Sequence, residues 1–118
     1  MARASQAASV AAIQAVLPAA GSFWISLTNG DPGTAGATEL PGIVRQPFTP
    51  SAGTAAIPSV VSNANAITIP NTGATAANYA VIYDAVTAGN YRIGAALSGP
   101  VTGASITFAI GAAQFTAA

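Results

Sequence analysis

Six side chains carry formal charge, Arg3, Arg45, Arg92, Asp31, Glu39 and Asp84, and they sum to zero in a chain of 118 residues that has no lysine, histidine or cysteine. Those absences remove zinc ligation by His or Cys, activation of a Ser or Cys nucleophile by a neighbouring His, and any disulfide framework. Carboxylate chemistry is what remains. Asp31 and Glu39 lie on one loop, where a glycosidase pair would need the two groups about 5 to 9 Å apart and a calcium ion would need about six to eight oxygens. Against both, Asp31 falls in a run of turn residues, Glu39 reads as a solvated loop charge, and no EF-hand spacing surrounds them. No catalytic residue, metal ligand or cofactor is therefore expected. Three scattered arginines do not make a phosphate-tracking stripe, and the GxxxxGK[ST] loop is missing, so no direct nucleic-acid binding is expected.

The same few residues are better suited to holding loops and partners. Arg45 and Arg92 each fall in a strand pattern opposite apolar neighbours, so each can pair with Glu39 or Asp84 and pin a loop or an intersubunit contact. The alternative is a surface arginine whose stem covers apolar area. Arg45 joins the interface candidates, while Glu39, Asp84 and Arg92 are candidate loop-pinning charges. Tyr79, Tyr83 and Tyr91 form a candidate aromatic patch of the kind that carbohydrates or proteins dock on. All three also alternate onto a face with Val81, Ile93 and Leu97, for which core packing is the simpler use. Trp24 points away from Phe23 and Ile25 and is the stronger interface candidate, unless an N-terminal helix covers it.

Positioning these groups falls to one helix and a series of short strands. Val10, Ile13 and Leu17 recur at spacings of three and four, which predicts a helix over about residues 6–17, closed by Pro18 and Gly21. So short a helix is marginal alone and must lie on its own domain or on a neighbour. Residues 1–20 are accordingly expected to form an N-terminal helical arm, with Val10, Ile13 and Leu17 as interface residues. Arg3 followed by the apolar stretch 7–20 only faintly resembles a secretory leader, being interrupted by Gln14 and Pro18, and it falls short of the roughly 20 residues that span a membrane.

Beyond Gly21 the apolar period becomes two. "SFWISLT" alternates Phe23, Ile25 and Leu27 against Trp24, Ser26 and Thr28, and "NGDPG" ends it with turn formers. "IVRQPF" (43–48) predicts a strand with Pro47 at an edge. One or two irregular strands are expected over 49–64, then "NAITIP" over 65–70. "ANYAVIYDA" and "YRIGAAL" flank "AVTAGN", a hairpin signature. "SGP" reads as a turn, "SITFAI" as a strand alternating Ile106, Phe108 and Ile110, and the stretch 114–116 as an edge strand carrying Phe115. Seven or eight such strands, without crossover helices, predict a mainly β fold. The expected form is a compact antiparallel β-sandwich or small barrel, jelly-roll-like, as a single domain over residues 21–118 with one short N-terminal helix.

The 30 alanines, 12 threonines and 9 serines, with zero net charge, describe a bland surface with little self-repulsion between copies. That favours a protein used in an assembly, as a homo-oligomer or in many copies, with no membrane partner. "WISLTNGDPG", "ATELPGIVR" and "YAVIYDAVTAGNYRIGAALSGPVTGASITFAIGA" make the chain similar to a group of short proteins encoded in the structural modules of tailed bacteriophages. These are loosely called tail fibre-like, and small virion proteins of similar size decorate the head. The resemblance runs from the N-terminal helix to the end. It is carried by Leu27, Asp31, Pro32, Gly33, Glu39, Gly42, Arg45, Ile82, Tyr83, Asp84, Gly89, Asn90, Gly94, Leu97 and Phe108. It departs at Ile43, where an aromatic precedes the arginine in the group, and near Ala74, where a tryptophan commonly precedes the late strand. The resemblance implies a noncatalytic virion structural protein. The leading expectation is a capsid decoration or cement protein that stabilises the head through contacts with the major capsid protein. The alternative is a tail-associated, fibre-like module that binds a receptor or glycan through Trp24 and the tyrosines. A secreted bacterial binding domain is a third.

Overall fold

In "SFWISLT" the alternation sorts side chains strictly by face, and the strand it forms is the centre of the molecule. A computed structural model describes residues 12–18, 22–33, 38–40, 42–54, 60–70, 75–103 and 105–116. Among them are eight strands, β1 (Phe23–Thr28), β2 (Gln46–Phe48), β3 (Val60–Ser62), β4 (Ile67–Ile69), β5 (Ala77–Tyr83), β6 (Tyr91–Val101), β7 (Ile106–Phe108) and β8 (Gln114–Thr116). A short helix over 12–16 precedes them. Arg3, Val10 and the predicted helical residues 6–11 lie outside the described residues. No helix among the described residues is long and apolar enough to cross a membrane.

Four strands form one antiparallel sheet in the order β2-β1-β5-β6, and the other four form two antiparallel ladders, β3–β8 and β4–β7. The register places Ile25 beside Ile82, Leu27 beside Ala80 and Ile82 beside Ile93, so one face of the sheet is apolar. That face shares a single core with Phe48, Val61, Ile67, Ile69, Ile106 and Phe115. Each large side chain so buried contributes about 1.5 to 3 kcal/mol relative to exposure. Phe48 and Phe115 meet edge to face at 5.6 Å, joining the sheet to the β3–β8 ladder. The protein is thus mainly β with antiparallel sheets and one short N-terminal helix, its second layer being two separate ladders.

Ile13 and Leu17 are wholly buried in that same core. The apolar stripe expected to face a neighbouring subunit is, at these two positions, used inside the chain. Three further departures have local causes. Only Gln46–Phe48 of "IVRQPF" pairs with β1, because residues 43–45 swing out to carry Arg45 over the sheet. Pro47 is tolerated since β2 is an edge strand. "SGP", predicted as a turn, continues β6 to Val101, again at an edge where Pro100 needs no partner. Ile110 leaves the alternation of β7, falls in a turn and is 69% exposed.

Candidate functional site

The second face of the sheet begins with Trp24, Ser26 and Thr28 of β1, directly opposite Tyr83, Val81 and Tyr79 of β5. A register shift between Ile82 and Tyr83 then brings Tyr91 opposite Tyr83 while Ile93 stays opposite Ile82. A β-bulge moves one residue to the other face, so Tyr91 leaves the face of Ile93 and Leu97 and meets Tyr83 edge to face at 6.1 Å. The three tyrosines therefore do share a face. It is the one opposite the apolar core, contrary to simple alternation along "YRIGAAL".

This aromatic face is roofed by the loop after β1. The backbone bridge between Thr28 and Glu39 and the Leu40 N–H bond to Leu27 O (3.0 Å) bring the loop back alongside β1. Asp31 Oδ1 accepts from the Gly33 N–H at 2.9 Å, closing the turn. Pro32 is buried, and Tyr91 donates its hydroxyl to Gly33 O at 3.1 Å. Gly94 makes room: a Cβ there would lie 2.6 Å from Pro32 Cγ and 3.0 Å from the Tyr91 hydroxyl oxygen. Tyr83 is buried and Trp24, Tyr79 and Tyr91 are half-buried, so the candidate aromatic patch is partly covered.

Arg45 is the centre of that roof. Its Nε and Nη2 donate to Glu39 Oε1 at 3.0 and 2.5 Å, and its Nη1 donates to Ala85 O and Ala88 O at 2.8 and 2.7 Å. The guanidinium lies over the Tyr83 ring, 3.8 Å from its centroid, and the side chain is 9% exposed. Glu39 Oε2 accepts from the Ser26 hydroxyl at 2.6 Å. One arginine thus clasps the loop, the β5–β6 hairpin and the aromatic face together, and its donors are turned inward. Burial alone would raise the Glu39 carboxyl, but the hydrogen bonds from Arg45 and Ser26 and the charge of Arg45 outweigh it and hold the pKa below its ordinary 4.5. Burial and the Glu39 charge push the Tyr83 phenol upward against the pull of Arg45.

Asp84 pins the hairpin without an arginine. Its carboxylate accepts from the Asn90 N–H at 2.7 Å and from Asn90 Nδ2 at 3.0 Å, which lowers its pKa. Gly89, at φ 73°, has no room for a side chain against Asp84 Oδ1. Arg92, also expected to meet a carboxylate, donates its Nε–H to Val16 O at 3.1 Å. There it satisfies a carbonyl at the end of helix 12–16, where a cation is favoured.

Two positions that hold these elements together lie outside the sequence reading. Ser26, buried mid-strand, had only its place on the polar side of β1 as a signal. Asn63 had none, and it ties the two ladders together. Its Nδ2 donates to Asn65 O at 2.8 Å and Ala109 O at 2.9 Å, and its Oδ1 accepts from the Ala113 N–H at 2.9 Å. Its backbone bonds Ala113 O at 3.2 Å and the Gly111 N–H at 2.9 Å. Asn63 is 1% exposed, with both ends of its amide satisfied.

Above the clasp, Val44 and Val86 stand 63% and 54% exposed and edge a shallow groove of about 380 Å³ with Ile43, Thr87 and Ala88. Among the described residues no three His, Cys, Asp or Glu side chains converge as a metal site would require. Compared with known families, residues 5–116 match the model described as podophage GP4 fiber I protein gp80. No curated protein matches significantly.

Proposed function

The chain belongs to the podophage GP4 fiber I protein family, and from that premise we propose that it is a noncatalytic, tail-associated fiber component that works by protein contact. As a phage fiber protein it is part of the virion, with other virion proteins as its partners. The family match over residues 5–116 is the observation that carries this reading. It favours the tail-associated alternative over decoration of the head, and tail components replace the major capsid protein as the proposed partners.

Each described carboxylate supports the noncatalytic part, since Asp31, Glu39 and Asp84 are all engaged in hydrogen bonds that hold loops. A general acid or base needs a free, positioned proton site. The exposed rim of Val44 and Val86 is the contact surface proposed for neighbouring tail proteins, in place of the covered tyrosines. It sits on two segments that Arg45 fixes to one another, so little conformational freedom is lost on binding. The proposed organisation is a helical arm over residues 1–20, docked through Ile13 and Leu17, on one β domain over residues 21–118.

Immunogold labelling of intact particles tests the assignment. Label confined to the tail end is expected, and label spread over the head would overturn it. The double substitution Val44→Asp, Val86→Asp should leave the melting temperature close to wild type and lower incorporation into particles several-fold. Unchanged incorporation would remove the rim from the account.

A further inference from the structure

We propose that Asn29 is a self-modification site: its side-chain amide is lost to attack by the Gly30 nitrogen, and the carboxylate that results unpins the loop over the aromatic face. The chain has six asparagines, and Asn29 alone is followed by glycine, the other five by Ala, Thr or Tyr. A peptide nitrogen reaches the preceding side-chain carbonyl most readily when its own residue has no Cβ in the way. Holding both reacting groups in one dipeptide supplies the proximity that a bimolecular attack lacks. Both residues are exposed, just beyond the end of β1.

Two hydrogen-bonding features favour the step. Among the described residues the Gly30 N–H bonds to no group, although the Gly30 carbonyl accepts from the Thr28 hydroxyl at 2.9 Å. The nucleophile is thus open to water and base. Asn78 Nδ2 donates to Asn29 O at 3.0 Å. When the Gly30 nitrogen gives its proton to hydroxide, the negative charge spreads onto that same oxygen, and a donor there favours the charged form. The nitrogen then attacks Asn29 Cγ. An N–C bond forms, the Cγ–Nδ2 bond breaks, and Nδ2 leaves as ammonia with a proton taken from water. A water molecule next opens the cyclic imide at either carbonyl, leaving aspartate or isoaspartate. The net exchange is one water for one ammonia, with no change of oxidation state.

The product matters because of what Asn29 holds. Its Nδ2 donates to Ala76 O at 2.8 Å, tying the loop to the start of β5. A carboxylate has no donor for that carbonyl and sets negative charge against it. The same turn runs on through residues 31–33, where Pro32 lies against Gly94 and Gly33 O accepts from Tyr91. Loss of the Asn29 tether therefore loosens the cover of the aromatic face, in one direction only.

The test incubates the purified full chain in warm, mildly alkaline buffer and maps aspartate and isoaspartate by peptide mass spectrometry. Conversion at Asn29 should outrun that at each of the other five asparagines and rise in proportion to hydroxide. Gly30→Ala should slow it about tenfold or more. Since a Cβ at Gly30 meets nothing within 4 Å, that variant should melt like wild type. Asn29→Asp fixes the product and should speed hydrogen exchange at the Gly33 and Leu40 amides, which bond to Asp31 and Leu27 within the loop's present fold. An amide that stays intact at Asn29, conversion no faster than at the other asparagines, or a Gly30→Ala chain that converts at the wild-type rate would overturn the site. Unchanged exchange in Asn29→Asp would overturn the unpinning. The purified chain is tested alone, so either failure would leave the tail assignment standing.

Discussion

Arg45 and Asn63 do the same mechanical job in two regions of the molecule with opposite chemistry. Over the aromatic face of the sheet, a charged side chain gathers Glu39, Ala85, Ala88 and the Tyr83 ring. Under the two ladders, a neutral amide gathers Asn65, Ala109 and Ala113. The clasp lies beside the exposed rim of Val44 and Val86, whereas the Asn63 amide is itself buried within the protein. A sealed neutral group neither titrates nor responds to salt, but loses everything when a partner is removed, because unmatched polar groups stay buried. A charge at the margin of solvent is partly rescued by water, and its strength follows pH.

Asn63→Ala should give the largest effect. It strands the buried Ala113 N–H and removes the donor from two partly exposed carbonyls, and a loss of about 3 kcal/mol in chemical denaturation is expected. A loss under about 1 kcal/mol would erase the contrast, since that is the net worth of an ordinary hydrogen bond. Asn63→Asp sharpens it by converting the neutral knot into a titrating one. Its carboxyl, facing carbonyls, would have a raised pKa in the folded state. The folded chain then binds more protons than the unfolded one, and this variant, unlike wild type, should gain stability as pH falls.

Arg45→Ala comes next, at about 2 kcal/mol, because it removes four hydrogen bonds and the ring contact while leaving Glu39 with Ser26. A loss of a few tenths would reduce the clasp to an ordinary surface pair. The pH profile separates the two regions without any change in packing. The folded Glu39 pKa lies below 4.5 and that of Asp84 below 3.8, so their stabilisation is complete above those values and is lost as pH falls through the lower folded ones. Denaturation midpoints should therefore decline with acid below about pH 4.5, and Glu39→Gln should flatten the upper part of that decline. An unchanged profile in Glu39→Gln would contradict the clasp's electrostatic origin. The smallest effect is expected from Ala88→Gly. Ala88 sits at φ 52° while its carbonyl accepts from Arg45, and relieving that conformation should stabilise the chain by about 1 kcal/mol. Destabilisation would mean that no strain is held there.

The parts legible in the sequence were those governed by local rules. Alternation located β1, β4 and β5 and the buried side of β1 and β4, and turn residues located the hairpin after Tyr83. Charge scarcity left Arg45 few partners, and Glu39 was one of two named for it. What escaped depends on partners distant in the chain. The bulge that turns Tyr91 to the other face exists only because β6 is registered against β5. Asn63 looks like any turn asparagine until Ala109 and Ala113, some fifty residues on, are brought to it. Ile13 and Leu17 showed an apolar stripe but not whether their own domain or a neighbour would cover it. Arg92 found a helix carbonyl, a partner that no pattern of charges displays.

Quantitative mass spectrometry of separated heads and tails tests the central claim most directly. The chain is expected to fractionate with tails, at a few to a few dozen copies per particle. Enrichment with heads in hundreds of copies would contradict it.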